Sequence, residues 1–222
     1  MFDKLKKLIE QAKIKATASV DPAVFNHPVA QKTEWHPLKG GGTNFQTHRL
    51  DSSNPDKLVF SATLGAKMFS GLFAVIGLFG MVIPAVIFFT GGMKEGALLM
   101  FALLFGGTFF GVGMFMLYLF ALPRVFDTFY GCYYKGWKRP QHTIQMSQNK
   151  KHAITHLNEV EAIQVLRERI NSKNGSYHSY EINLVLNDAS RVNVIDHGNH
   201  QAIIEDAETL ARILGVPFWD GS

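Results

Sequence analysis

Two runs without a charged residue dominate the pattern of this chain, Met68 to Thr90 and Ala97 to Leu122. Each exceeds the roughly 20 apolar residues that an α-helix needs to cross a hydrocarbon core about 30 Å thick. Both are apolar all round, whereas a surface-packed helix of a water-soluble domain keeps a polar side. The first run begins well beyond the N-terminal region where cleaved signals sit. Between the runs stands only Gly91-Gly92-Met93-Lys94-Glu95-Gly96. The pattern therefore predicts a two-helix membrane hairpin over residues 66–122, with spans at about 68–90 and 97–122.

Before the hairpin, Phe2, Leu5, Ile9 and Ala12 share one helical face, and Lys4, Lys6, Lys7, Lys13 and Lys15 take the rest. Residues 1–20 thus read as a basic amphipathic helix, suited to an anionic membrane surface, an acidic partner or the chain's own C-terminal domain. Residues 21–65 read as a linker, because Pro22, Pro28, Pro37 and the triplet Gly40-Gly41-Gly42 punctuate it. Thr43 to Leu50 and Lys57 to Thr63 form a possible β-hairpin around the turn cluster Asp51-Ser52-Ser53-Asn54-Pro55.

After Pro123 the pattern changes to short extended segments. Phe126 to Tyr130 and Cys132 to Trp137, separated by Gly131, predict a hairpin or bulge, and Thr143 to Met146 and His152 to Thr155 are candidate strands. Ala162 to Ile170 fits a strand or a helical turn. Tyr180 to Leu186 and Arg191 to Ile195 alternate between apolar and polar positions, as half-buried strands do. Ile203, Ile204, Ala207, Leu210, Ala211 and Leu214 recur at helical spacing, with Asn199 as N-cap, Gly215 past the end and Pro217 blocking continuation. Residues 123–222 are thus expected to form an α+β domain of antiparallel strands closed by a C-terminal helix, long enough for a core of its own.

Charge sets the expected orientation. Arg124, Lys135, Lys138 and Arg139 crowd the exit of the second run against Asp127 alone, and basic residues outnumber acidic ones before the first run. Lysine and arginine near membrane ends favour the cytoplasmic side, so both termini are expected inside. A single cysteine, Cys132, excludes an intramolecular disulfide and agrees with a reducing compartment. Arg124, Lys135, Trp137, Lys138 and Arg139 together suggest an interfacial belt against anionic lipid headgroups. Gly107 and Gly111 form a small-xxx-small pair that is expected to let helix backbones approach closely.

The order of elements is similar to bacterial membrane-anchored proteins with a pleckstrin-homology-like domain. Two stretches carry the resemblance: Phe126-Asp127 with Gly131 and Tyr134-Lys135-Gly136, then Ser179 to Leu186, Arg191 to Gly198 and Leu214-Gly215-Val216-Pro217. These resemble a widespread group of proteobacterial two-span inner-membrane proteins, and the architecture is similar to the photosystem I assembly factor family. The resemblance covers roughly residues 58–219. It implies a pleckstrin-homology-like sheet and a scaffold or assembly role more than catalysis. Thr128-Phe129-Tyr130 stands where relatives often place charged residues, so a surface read there need not carry over.

Candidate chemistry is sparse. No phosphate-cradling loop, dinucleotide fingerprint, nucleophile elbow or zinc-protease helix is present, and Gly40-Gly41-Gly42 lacks the Lys-Ser/Thr that a phosphate loop needs. His152 with His156, and His197 with His200, have spacings compatible with metal ligation on helices, but all four fall in expected strands or turns, so no metal is assigned. Cys132 sits among aromatics and reads as packing. Charges balance after Pro123 without a basic stripe, which argues against nucleic acid. Neither apolar run holds an Asp, Glu, Lys, Arg or His, which argues against transport and leaves a pore resting on glycine alone. The expectation is a non-enzymatic inner-membrane adaptor or assembly protein without cofactor, whose partners are membrane lipids and another membrane complex or a second copy. The alternative is a membrane-bound lipid or ligand sensor that uses the juxtamembrane basic cluster.

Overall fold

The computed structural model describes residues 20–92, 94–140, 154–172 and 175–222. The expected N-terminal amphipathic helix, the candidate strand Thr143 to Met146 and His152 lie outside the described residues. The chain divides into two compact units, Ser61–Pro123 and a second built from Met1–Phe60 with Arg124–Ser222.

The first unit is a helical hairpin of α1 (Leu64–Phe89) and α2 (Gly96–Ala121), 26 residues each. At 1.5 Å per residue each helix is about 39 Å long, and both are long and apolar enough to cross a membrane. The Thr63 hydroxyl starts α1 by accepting from the Ala66 amide at 3.2 Å, and α1 runs on through Pro84. Large side chains such as Phe79, Ile83, Phe101 and Phe115 point outward. The buried seam is made of small residues instead: Ala66, Ser70, Ala74 and Gly77 on α1, Gly106 and Gly113 on α2. A methyl group at Gly77 would strike the backbone of Gly106 and Phe110, and one at Gly113 the backbone of Ala74. This corrects the glycine assignment. Gly111 has open space where its side chain would be, and Gly107 meets only the Met81 sulfur at 3.7 Å. The register of α1 against α2 selects the Gly106–Gly113 line, seven residues apart and therefore on one face.

The second unit holds two sheets. One has five strands in order β1-β2-β3-β4-β5: β1 (His48–Asp51), β2 (Lys57–Ala62), β3 (Arg124–Asp127), β4 (Cys132–Lys135) and β5 (Thr155–His156). The other has the order β8-β7-β6-β9: β6 (Val160–Ser172), β7 (Gly175–Leu186), β8 (Arg191–His197) and β9 (Phe218–Gly221). The β6–β7–β8 and β2–β3–β4–β5 pairings are antiparallel. Residues 162–170, open between strand and helix in sequence, belong to β6. The segment after Pro217 is a strand that the sequence pattern did not reveal, pairing parallel with β6 from Ile163↔Phe218 to Leu166↔Gly221.

Alternation explains the core. Leu58, Phe60, Phe126 and Tyr133 of the first sheet join Ile163, Val165, Ile182, Leu184 and Val194 of the second in one cluster. Helix α3 (His200–Leu214) adds Ile203, Ala207, Leu210 and Ala211 to that cluster. It starts at Asn199, whose side chain accepts from Ala202, and ends at Gly215 with φ +69°, a conformation glycine adopts without penalty.

The stretch read as a linker is inlaid on the other face of the second sheet. Phe25 and Trp35 stack with ring centroids 4.7 Å apart, and both lie against Trp219 of β9. Glycine allows close packing around this stretch: a side chain at Gly42 would strike that of Ser179, and one at Gly198 would strike the Asn44 backbone.

Candidate functional site

The basic residues singled out in sequence separate into two groups. Arg124 and Lys135 are direct partners across β3 and β4, and Phe60 of β2 is the partner of Arg124 on the other side. Side chains of a strand alternate, and in-register partners share a face. Arg124 therefore lies on the face of Phe126, and Lys135 on that of Tyr133, which is the face turned to the main core. The row Phe60–Arg124–Lys135 stands at the end of the sheet where the chain leaves for the helices. One residue, Thr63, separates β2 from α1, and two, Leu122 and Pro123, separate α2 from β3.

Lys135 reaches the second sheet, whereas Arg124 meets β1 of its own sheet. Lys135 Nζ donates to the Asn193 carbonyl of β8 at 2.7 Å. Arg124 Nη1 lies 2.6 Å from His48 Nε2. A guanidinium only donates, so this nitrogen accepts and Nδ1 carries the proton, donating to Thr47 Oγ1 at 2.8 Å. The Thr47 hydroxyl then donates to the Asp196 carbonyl at 3.2 Å. Crowding by protein atoms pushes the Lys135 ammonium down to about 8, and the positive charges of Arg124 and Lys39 push the same way, against Asp196. The residue as a whole is nonetheless exposed. Burial also lowers Arg124 and raises the Tyr133 phenol. The Tyr133 hydroxyl has no hydrogen-bond partner among the described residues, although its side chain is only 2% exposed.

Trp137, Lys138 and Arg139 lie elsewhere. Trp137 is 66% exposed, Lys138 is exposed, and the Arg139 guanidinium sits 3.4 Å from the centroid of the Tyr130 ring. Tyr130 and Phe129, both exposed, occupy the β3–β4 turn, where Asp127 accepts from the Tyr130 amide at 3.0 Å and Gly131 takes φ +63°. The five expected belt residues thus form an inward pair and an outward aromatic-basic group.

A second polar feature, absent from the sequence reading, is a buried layer beneath residues 34–42. The Glu181 carboxylate accepts from the Leu38 and Lys39 amides at 2.7 and 3.0 Å and from Asn183 at 2.7 Å. Arg191 donates to the His36 carbonyl at 2.7 Å and to Glu34 at 3.1 Å, and Gln164 donates to the Glu34 carbonyl at 3.1 Å. Burial raises Glu181 and lowers Arg191, each offset by these contacts. The available signal was polar residues at alternate positions of adjacent strands, Glu181 and Asn183 on β7 and Arg191 and Asn193 on β8; a solvent-facing sheet surface has the same pattern.

His197 is fully buried and its Nδ1 accepts from the Asn199 amide, while His200 stacks on Tyr180 and meets Ser222 at 2.8 Å. Among the described residues no cluster of His, Cys, Asp or Glu could hold a metal. Cys132 is buried with Val125 and Tyr134, and burial raises its thiol. No protein-family model, curated protein or solved structure matches the chain.

Proposed function

We propose that this chain is a non-enzymatic adaptor of a bacterial inner membrane, with both termini cytoplasmic, and that its strand-rich unit holds or helps assemble another membrane complex. In this reading that unit is pleckstrin-homology-like, its sheets closed by the C-terminal helix α3. The observation that carries the proposal is the double tether. Neighbouring strands β2 and β3 run into α1 and α2 through one and two residues, so the domain stays within reach of the bilayer surface. Exposed Phe129, Tyr130 and Trp137 support it further, since aromatic side chains are enriched where proteins dock.

The test is a pull-down of the full chain from native membranes in mild detergent. A stoichiometric protein partner is expected, and it should be lost when Phe129 and Trp137 are both changed to serine. Recovery of the chain alone, at native expression, would overturn the adaptor reading. Reporter fusions at the 91–96 turn and at the C-terminus test orientation, with only the turn expected outside.

A further inference from the structure

We propose that the outer edge of β6, from Arg167 to Asn171, takes an extended acidic segment of another protein as an added strand. On that side β6 outruns its neighbour. Strand β9 is in register with it only from Ile163 to Leu166, whereas β7 follows it to Ser172. Among the described residues no strand pairs with β6 beyond Leu166 on the side away from β7. The Ile163 amide points to that side, donating to the Pro217 carbonyl at 2.9 Å. Amide and carbonyl directions repeat at every second residue of a strand, and the β6–β7 register runs without a shift from Ala162 to Ser172. The backbone groups of Arg167, Arg169 and Asn171 therefore face the edge that β9 leaves open. Such a row is a template for main-chain pairing with another chain.

Side chains decide which strand fits. Arg167 is the register partner of Tyr180 and Arg169 that of His178, so all four lie on one face. Arg169 and His178 are exposed and Arg167 is half-buried. Neither arginine has an ion pair among the described residues; Arg169 donates to the Ser176 hydroxyl at 3.2 Å, which leaves its charge uncompensated. Glu168, the one acid between Arg167 and Tyr180, lies on the opposite face and accepts from the Gly41 amide at 3.0 Å. Cationic side chains on an edge deter pairing with a like strand, such as that of a second copy. Opposite charges directly across two strands attract instead. A segment with Asp or Glu at alternate positions thus gains main-chain bonds and two charge pairs together. Phe129 and Trp137 play no part in this edge, so the pull-down and the titration described next fail independently.

The experiment titrates the full chain, in mild detergent, into a dye-labelled peptide of alternating Glu and Thr with blocked ends, read by fluorescence anisotropy. Comparison probes are the alternating Lys and Thr peptide, the acidic peptide N-methylated at each Glu, and a single-stranded oligonucleotide of equal charge. Saturable binding of the acidic peptide is expected, with the lysine peptide weaker by about tenfold or more. Arg167→Gln combined with Arg169→Gln should weaken binding by about tenfold, as loss of two cross-strand charge pairs does. Lysine at both positions should retain it. Hydrogen exchange at the amides of Arg167, Arg169 and Asn171 should slow when the peptide is present. That readout decides the matter in the unaltered chain if the glutamine pair disturbs folding. Unchanged exchange at these amides, or equal binding of the N-methylated peptide, would overturn the added strand. Equal weakening by Lys138→Gln with Arg139→Gln would show diffuse attraction and overturn it too. Binding of the oligonucleotide as tightly as the acidic peptide would reassign the edge to nucleic acid.

Discussion

The Leu38 amide donates to the Glu181 carboxylate at 2.7 Å, joining residues 143 positions apart. One lies before the helical hairpin in sequence and the other after it, so the strand-rich unit is completed from both sides of the hairpin. Glu181 is the hub, since the Lys39 amide and Asn183 use it as well.

Removing that hub should release the inlaid segment. Glu181→Ala is expected to cost about 3 kcal/mol or more, because hydrogen bonds to a charged group contribute about 1.5–3 kcal/mol each and their buried donors would be left unsatisfied. Glu181→Gln keeps the shape and one acceptor oxygen and should cost less. Hydrogen exchange should rise first in the amides of residues 34–42, with helix α3 unchanged. Uniform exchange across the unit would contradict this order.

Trp219 anchors the same segment from the side of β9, packed against Phe25, His27 and Trp35. Trp219→Ala should destabilise the strand-rich unit by about 3–5 kcal/mol, the usual cost of emptying a large aromatic site. Chemical unfolding followed by circular dichroism measures it. Replacement of the more exposed Phe129 by alanine should stay within about 0.5 kcal/mol of the parent.

The hairpin predicts a contrast between two glycines on one helix. Gly113→Leu should disrupt packing, because any side chain there meets the Ala74 backbone, which cannot move aside as a flexible side chain would. Gly111→Leu should leave helix pairing intact, as nothing lies within 4 Å of that position. Disulfide trapping between cysteines placed along α1 and α2 reports the difference. Equal disruption by both changes would refute the seam described above.

A buried histidine and a half-buried aspartate titrate in opposite senses over one pH range. His197 is held neutral by burial, its pKa falling from 6.5 to about 4. The unfolded chain therefore binds the extra proton, and His197 contributes stability that is present above pH 6.5 and lost as pH falls toward 4, about 3 kcal/mol in all. Burial instead raises Asp206 from 3.8 to about 6 while it accepts from the Leu50 amide. Here the folded state binds the proton, so this contribution declines as pH rises from about 4 to 6. Asp206→Asn should expose a steeper acid-side loss of stability in thermal melts, and adding His197→Gln should flatten it.

Much of the fold was legible because its signals are local. The uncharged runs, the helical spacing from Ile203 to Leu214 and the Asn199 and Gly215 caps each depend on neighbours within a few positions. The hairpin around Gly131 was legible for the same reason, and the charge of Arg124 and Lys135 was visible at once. Their direction was not, since it depends on pairing with Phe60 across the whole hairpin and on reaching Asn193 of β8.

The sequence by itself determined that two helices of membrane-crossing length interrupt a chain whose later part forms strands and an amphipathic helix. Tertiary structure decided what the polar residues of that chain face. Residues 21–42 look like a linker because proline and glycine break regular structure, yet buried Glu181, Arg191 and Gln164 bind their backbone. Strand β9 follows a proline and has only four residues, and it is a strand because β6 offers it an edge. Gly113, not Gly111, meets the facing helix because of how α1 and α2 are rotated against each other. Such choices depend on contacts far apart in sequence, which periodicity over a few residues does not encode.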